Sequence, residues 1–101
     1  MAEFIVEITT VVPDGTPQAE VDRRRAAEAA RAAELTASGN LVRLWRPIGE
    51  MRSIGLWVAA DEAALRADVL ETLPLSPWMT FDVTAVASHP NDPNDPAARD
   101  R

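Results

Sequence analysis

The order in which two sequence periodicities alternate along the chain is the feature that most restricts its fold. β-Branched and aromatic residues fill four short segments typical of strands: 3–12, 41–46, 51–59 and 80–88. An alanine-rich stretch with a helical period follows the first segment, and a second helical stretch begins at Asp61. The order is therefore βαββαβ, which with right-handed crossovers predicts a ferredoxin-like α+β sandwich.

In that fold we expect a four-stranded antiparallel sheet with both helices on one face. The candidate residues for the other face include Leu, Trp and Val, which are too apolar to face solvent. We therefore expect this second face of the sheet to pack against a partner subunit.

The ends of the helices and the loop after the second helix are marked in the sequence. The first helix is expected over residues 17–38, because Gly39-Asn40 is a typical helix stop. The second should begin after Asp61, a good N-cap residue, and end before Leu73-Pro74. Residues 73–79 contain two prolines and are expected to form a rigid crossing loop.

Length and a change of composition indicate one domain and a tail. A chain of 101 residues is expected to form a single domain. We assign this domain to residues 1–90. Residues 91–101 are polar and repeat Asn-Asp-Pro, so we expect an exposed tail, or an arm that only a neighbouring subunit orders.

Composition excludes several classes of function. The net charge of −6 argues against nucleic acid and anionic membranes as partners, although a local arginine cluster still allows an anionic small molecule. The chain has no cysteine, so disulfides and thiolate nucleophiles are excluded, and with His89 as its only histidine no metal site is expected. Without a long apolar run or a signal peptide pattern, the expected location is the cytoplasm.

Glu28 is the main candidate for a catalytic residue. At 100° per residue, Val21, Ala32 and Leu35 fall within about 40° of one direction, and Glu28 lies in their midst. A buried carboxylate beside Arg25, at the edge of this stripe, suits proton transfer. Two alternatives remain open: Glu28 and Arg25 form an ordinary surface pair, or the opposite helix face is the buried one. That opposite face is almost as apolar: Ala26, Ala30, Ala33 and Ala37.

Other candidates lie on the strands and the crossing loop. By alternation, Met51, Ser53, Gly55 and Trp57 share one strand face, and Ser53 is the only hydroxyl among them. We take Met51 and Ser53 as candidates for substrate contact, because both fall on this face.

Tryptophans and arginines add further candidates. Each of the three tryptophans is a candidate either for a pocket or for the core, and we take Trp45 and Trp78 as substrate-binding candidates. Arg43 and Arg46 point to opposite faces, so that one of them binds an anion or both form salt bridges in an acidic oligomer.

Across residues 3–90 the chain resembles the muconolactone isomerase family. The resemblance is carried by two runs, Leu44-Trp45-Arg46 and Leu73-Pro74-Leu75, the second followed by Pro77 and Met79. Further matching residues lie in the first strand, the first helix, the turns and the end of the last strand: Phe4, Glu28, Gly39, Gly49 and His89-Pro90.

The resemblance implies the ferredoxin-like fold, a ring-like homodecamer built from dimers, and no cofactor. It implies a reaction of aromatic catabolism, in which the double bond of muconolactone moves to give 3-oxoadipate enol-lactone. The chain departs from the family at four positions. Arg25 replaces a lysine, Met51 and Ser53 stand where better-known members carry Tyr and Asn, and Ile5 replaces a histidine.

Three hypotheses follow. The first is a cofactor-independent lactone isomerase in which Glu28 shuttles the proton and Arg25 is its electrostatic partner. The second is a related enzyme, such as a halolactone dehalogenase or a biosynthetic tailoring enzyme, which the changes at Met51 and Ser53 suggest. The third is a non-catalytic oligomeric binding module, which would be favoured if Glu28 faced bulk solvent with no adjoining cavity.

Overall fold

The computed structural model describes residues 1–94 and has the βαββαβ order. Its strands are β1 (Ala2–Thr10), β2 (Leu41–Trp45), β3 (Ser53–Ala59) and β4 (Met79–Val86). They form one antiparallel sheet in the order β2-β3-β1-β4. This element order and this strand order confirm the predicted ferredoxin-like sandwich.

The first helix, α1 (Gln18–Ala37), ends where the sequence predicts. Gly39 has a φ of +87°, a left-handed conformation that glycine adopts without steric cost. Its N–H donates to the Thr36 carbonyl at 3.1 Å, and the Asn40 N–H donates to the Leu35 carbonyl at 2.9 Å. This Schellman arrangement pairs the last carbonyls of the helix and turns the chain into β2.

The second helical segment is less regular than predicted. It begins as α2 (Glu62–Ala64), widens into a π-helical turn over Leu65–Val69 and tightens into a 3₁₀ turn over Leu70–Thr72. As predicted, Asp61 is the N-cap, and its side chain accepts the Ala64 N–H at 2.8 Å. A short 3₁₀ turn follows over Ser76–Trp78 within the predicted crossing loop.

The core lies between both helical segments and one face of the sheet. The π-helical turn ends at Val69 and the 3₁₀ turn begins at Leu70. This change of pitch lets two adjacent side chains, Val69 and Leu70, both be buried in the core. None of the helices within residues 1–94 combines the length and the apolarity needed to cross a membrane. The largest fully buried side chains are Trp57, Leu65, Leu70 and Val6.

The opposite face of the sheet is only partly covered within residues 1–94. Ile5 on β1 pairs with Leu56 on β3, and both are half-buried. Arg52 forms an ion pair with Glu7 near the end of this face. The assignment of residues 91–101 to a polar tail falls largely on residues 95–101, which lie outside the described residues, so the tail stays a prediction.

Candidate active site

Glu28 lies on the side of α1 that faces the sheet. Val21 and Leu35 on the same stripe are buried, and Glu28 itself is half-buried. The four alanines of the opposite face are all exposed: Ala26, Ala30, Ala33 and Ala37. The alternative that this second face is the buried one is therefore wrong. The reason is that leucine and valine gain more from burial than alanine does.

Three polar side chains on α1 hold the loop that follows the second helical segment. Glu28 Oε1 accepts the backbone N–H of Leu75 at 3.0 Å. One turn earlier, Arg24 donates to the Pro74 carbonyl at 3.2 Å, and one turn later Arg31 donates to the Thr72 hydroxyl at 3.0 Å. Residues 24, 28 and 31 share one helix face because of their spacing. The loop thereby fixes one oxygen of the Glu28 carboxylate.

The second oxygen of Glu28 is available for chemistry. No donor among the described residues bonds to Oε2, since the Leu75 N–H engages Oε1. Burial raises the pKa of the Glu28 carboxyl, and the Leu75 hydrogen bond lowers this pKa by a smaller amount. A carboxylate whose pKa is raised toward neutrality is a stronger base than an exposed glutamate.

Glu28 lines a cavity of about 190 Å³ between α1 and the sheet, called the inner cavity below. Its polar lining residues include Ser53 and Arg46. Ser53 opens β3 on the core-facing side, where it pairs with Ile8 of β1. Most of the remaining lining is apolar: Ile8, Ala32, Leu41, Leu44, Met51, Trp57, Leu73, Leu75 and Met79.

A second hollow of about 390 Å³, called the outer pocket, adjoins the inner cavity. The two spaces are neighbours because they share four lining residues: Thr10, Arg46, Met51 and Leu75. Arg25 also lines the outer pocket. An apolar chamber holding a carboxylate thus opens beside a space bordered by two arginines. This arrangement suits a small anionic molecule with an apolar part.

Arg25 is not the ion-pair partner of Glu28. Among the described residues, neither Arg25 nor Arg46 forms an ion pair or a side-chain hydrogen bond. The alternative in which Glu28 and Arg25 form an ordinary surface pair is therefore wrong. On an α-helix, side chains three residues apart point in directions that differ by about 60°. Arg25 is therefore turned away from the direction of Glu28, and it is exposed to solvent. Both arginines keep their donors free for a ligand in the outer pocket.

The structure separates the remaining candidates into two groups. Met51 and Ser53 line the inner cavity. Trp45 and Trp78 are absent from the lining of both spaces, because each packs against an arginine instead. The Arg43 guanidinium lies 4.9 Å from the Trp45 ring centroid, and that of Arg24 lies 4.8 Å from the Trp78 centroid.

Two features of the site were not determined by the sequence alone. The hydrogen bond from the backbone N–H of Leu75 to Glu28 could not be predicted, because every residue other than proline has such an N–H group. The sequence allows Trp57 either in a pocket or in the core, and the structure shows that it is buried and also lines the inner cavity. Its place on the same strand face as Ser53 was a usable signal. The sequence did not show whether Arg43 or Arg46 would bind an anion. In the structure, Arg46 lines both spaces and Arg43 lines neither.

Comparisons with known proteins show which family the chain resembles over nearly its whole length. The family model described as muconolactone delta-isomerase matches residues 2–92. A muconolactone delta-isomerase of Cupriavidus pinatubonensis is 31% identical over 88 residues, which cover 87% of this chain and 95% of that protein. Muconolactone delta-isomerase 2 of Acinetobacter lwoffii is 32% identical over 91% of this chain and 95% of its own length. A crystal structure of muconolactone isomerase matches with a TM-score of 0.80 at 29% identity, over 92% of this chain and 96% of that one.

Proposed function

The chain belongs to the muconolactone delta-isomerase family, and we propose that it shifts the double bond of an unsaturated, muconolactone-type lactone without a cofactor. The observation that carries the proposal is the position of Glu28, whose half-buried carboxylate lines an apolar cavity with one oxygen held and one free. Glu28 is the catalytic residue of this proposal.

The proposed reaction is a 1,3-shift of one proton. Glu28 Oε2 removes a proton from a ring carbon of the lactone, and the electron pair moves onto the carbonyl oxygen to give a dienolate. Glu28 then returns the proton to a different carbon of the same ring face, and the lactone carbonyl re-forms. No atom or electron is gained or lost, so the residues of this chain suffice for the reaction. The apolar lining of the inner cavity keeps water from the dienolate.

Arg46 and Arg25 are the proposed binding site for the carboxylate of the substrate. Both line the outer pocket, and Arg46 also borders the inner cavity. A carboxylate bound there would place the lactone ring toward Glu28. Charge-assisted hydrogen bonds from guanidinium groups are well suited to this anion, and they act locally although the whole chain is acidic.

The Glu28→Gln variant tests the proposal. Glutamine keeps the shape and can still accept the Leu75 N–H, so fold and assembly should be unchanged. Turnover of muconolactone should fall by about a hundredfold or more, as expected for the loss of a general base. The matched control is Glu62→Gln, because Glu62 is an exposed carboxylate on the second helical segment and is absent from the lining of both spaces. Near-normal turnover by Glu28→Gln would rule out the mechanism.

A second candidate function is a related reaction on a less polar lactone, such as dehalogenation or biosynthetic tailoring. Met51 favours it, because a flexible thioether side chain lines both the inner cavity and the outer pocket. Rates on muconolactone, on chlorinated lactones and on larger lactones would separate the two functions. A non-catalytic binding module would require Glu28 to face bulk solvent with no adjoining cavity. Glu28 is instead half-buried and lines the inner cavity, so its position does not favour a non-catalytic module.

We also propose that the protein is a cytoplasmic homo-oligomer built from dimers, as the family resemblance implies. The half-buried aliphatic residues on the open face of the sheet support a partner subunit at that face. Light scattering on the purified protein measures the subunit number. A monomer at micromolar concentration would contradict this part of the proposal.

A further inference from the structure

The indole N–H of Trp57 is a buried donor without an acceptor. Trp57 is 2% exposed, and its Nε1 forms no hydrogen bond within residues 1–94. It is the single buried side-chain nitrogen or oxygen in that part of the chain that lacks a partner. Since an indole N–H can only donate, the missing partner must be an acceptor. Buried donors without acceptors are costly and rare in folded proteins, so this one calls for an explanation.

The position of this donor is set by Gly55. The two residues lie on the same side of β3, where Trp57 pairs with Phe4 and Gly55 pairs with Val6 of β1. A Cβ atom at Gly55 would lie 2.4 Å from Trp57 Nε1. The absence of a side chain at Gly55 therefore gives the indole room to lie back along β3, with its Nε1 over Gly55.

The same indole lines the inner cavity together with Glu28 and Ser53. A methyl group of Leu44 reaches the space over Gly55 as well, at 3.2 Å from the position of the same added Cβ. Leu44 is 51% exposed and also lines the inner cavity. Rotation of this half-exposed side chain would open the N–H to a molecule in the cavity.

We propose that Trp57 Nε1–H donates a hydrogen bond to the carbonyl oxygen of the bound lactone, and thereby stabilises the dienolate oxygen formed when Glu28 removes the proton. This inference rests on the proposed function, and it adds a catalytic residue on the strand side of the cavity. The electron pair released by the carbon–hydrogen bond passes to the carbonyl oxygen, and the Trp57 proton stays on nitrogen throughout. A fixed donor in a water-poor cavity stabilises such an oxygen more in the transition state than in the ground state.

Replacement by phenylalanine removes the N–H and keeps an aromatic ring. We expect Trp57→Phe to lower kcat by about a hundredfold, the effect typical of removing one oxyanion donor. The thermal midpoint is a second measurement, because a variant that has lost activity through misfolding would also lose its cooperative transition. Trp45→Phe is the matched control, since Trp45 lies outside both lining sets and should retain the turnover of the wild type.

A spectroscopic measurement tests the contact without relying on that variant. The chain has three tryptophans, so their three indole N–H resonances are assigned by elimination with Trp45→Phe and Trp78→Phe. Muconolactone added to the Glu28→Gln protein should bind without turnover and shift the Trp57 resonance downfield. A downfield shift together with the lowered kcat of Trp57→Phe would support the inference.

The outcomes distinguish this inference from the function on which it rests. If the wild type isomerises muconolactone, Glu28→Gln does not, and the Trp57 resonance stays in place while Trp57→Phe keeps full kcat, then the inference is overturned and the function stands. If the wild type converts none of the lactones tested, the proposed function is overturned, and the role of Trp57 falls with it.

Discussion

The layer between the helices and the sheet has two halves that differ in how they are filled. In the packed half, the second helical segment places Leu65 and Leu70 at 0% exposure against the sheet. In the hollow half, α1 places Glu28 over a cavity of about 190 Å³. The packed half contains only apolar side chains, whereas the hollow half contains a carboxylate and an unpaired indole N–H. The packed half therefore stabilises the fold through apolar burial, and in our proposal the hollow half is the part that receives the lactone.

The largest effect should come from removing a side chain in the packed half. Leu70→Ala should destabilise the protein by about 2–5 kcal/mol, because a fully buried leucine leaves a cavity when truncated. Leu44→Ala is the control from the hollow half, and it should cost less than about 1 kcal/mol because Leu44 is 51% exposed. Urea unfolding measures both free energies. Equal losses would remove the distinction between the two halves.

Removal of a cation from the hollow half should affect substrate binding more than stability. Arg46→Gln should raise KM for muconolactone by about tenfold to a hundredfold, the loss of roughly 1.5–3 kcal/mol expected for a hydrogen bond to a charged group. Arg43→Gln is matched by charge and lies three residues away on β2, but Arg43 packs on Trp45 instead of lining the outer pocket. Steady-state kinetics of the two variants decide the point. A KM that rises equally in both would indicate only a general effect of charge.

A methyl group added between the two halves should disturb both. In Gly55→Ala the new Cβ would lie 2.4 Å from Trp57 Nε1, so the buried indole must shift. We expect a destabilisation of about 1–3 kcal/mol from overpacking. We also expect a lower kcat, because a shifted indole would move its N–H away from the lactone oxygen to which we propose it donates. Thermal unfolding and kinetics measure the two effects, and a variant with unchanged values for both would show that the space over Gly55 is not needed.

The smallest effect is a pH dependence of stability from Glu28. Its folded-state pKa is raised by burial, so the folded state binds more protons than the unfolded state between the unfolded value of about 4.3 and the higher folded value. Stability from this group therefore falls as pH rises through that window. Relative to Glu28→Gln, the wild type should lose stability from pH 4 to pH 7. Urea unfolding at both values checks the sign, and a relative gain would contradict a raised pKa.

The sequence contains enough information for the fold and for part of the site. Period-two runs predicted all four strands, and the leucine and valine of the α1 stripe correctly placed Glu28 inward. The irregular pitch over Leu65–Val69 was not predictable, because tertiary packing decides it.

The parts of the site that the sequence did not predict also depend on tertiary packing. The orientation of an indole and the donor at Leu75 arise only when distant segments meet. The choice of Trp45 and Trp78 as binding residues had no support from spacing, and neither lines the cavity.

The most direct test of the role of Glu28 follows the proton itself. Muconolactone is incubated in D₂O with the wild type or with Glu28→Gln, and NMR records both isomerisation and loss of the carbon-bound proton signal. The wild type should isomerise the lactone, and the variant should produce neither change above the rate without enzyme. A Glu28→Gln protein that still exchanges or transfers that proton at the wild-type rate would show that another group is the base.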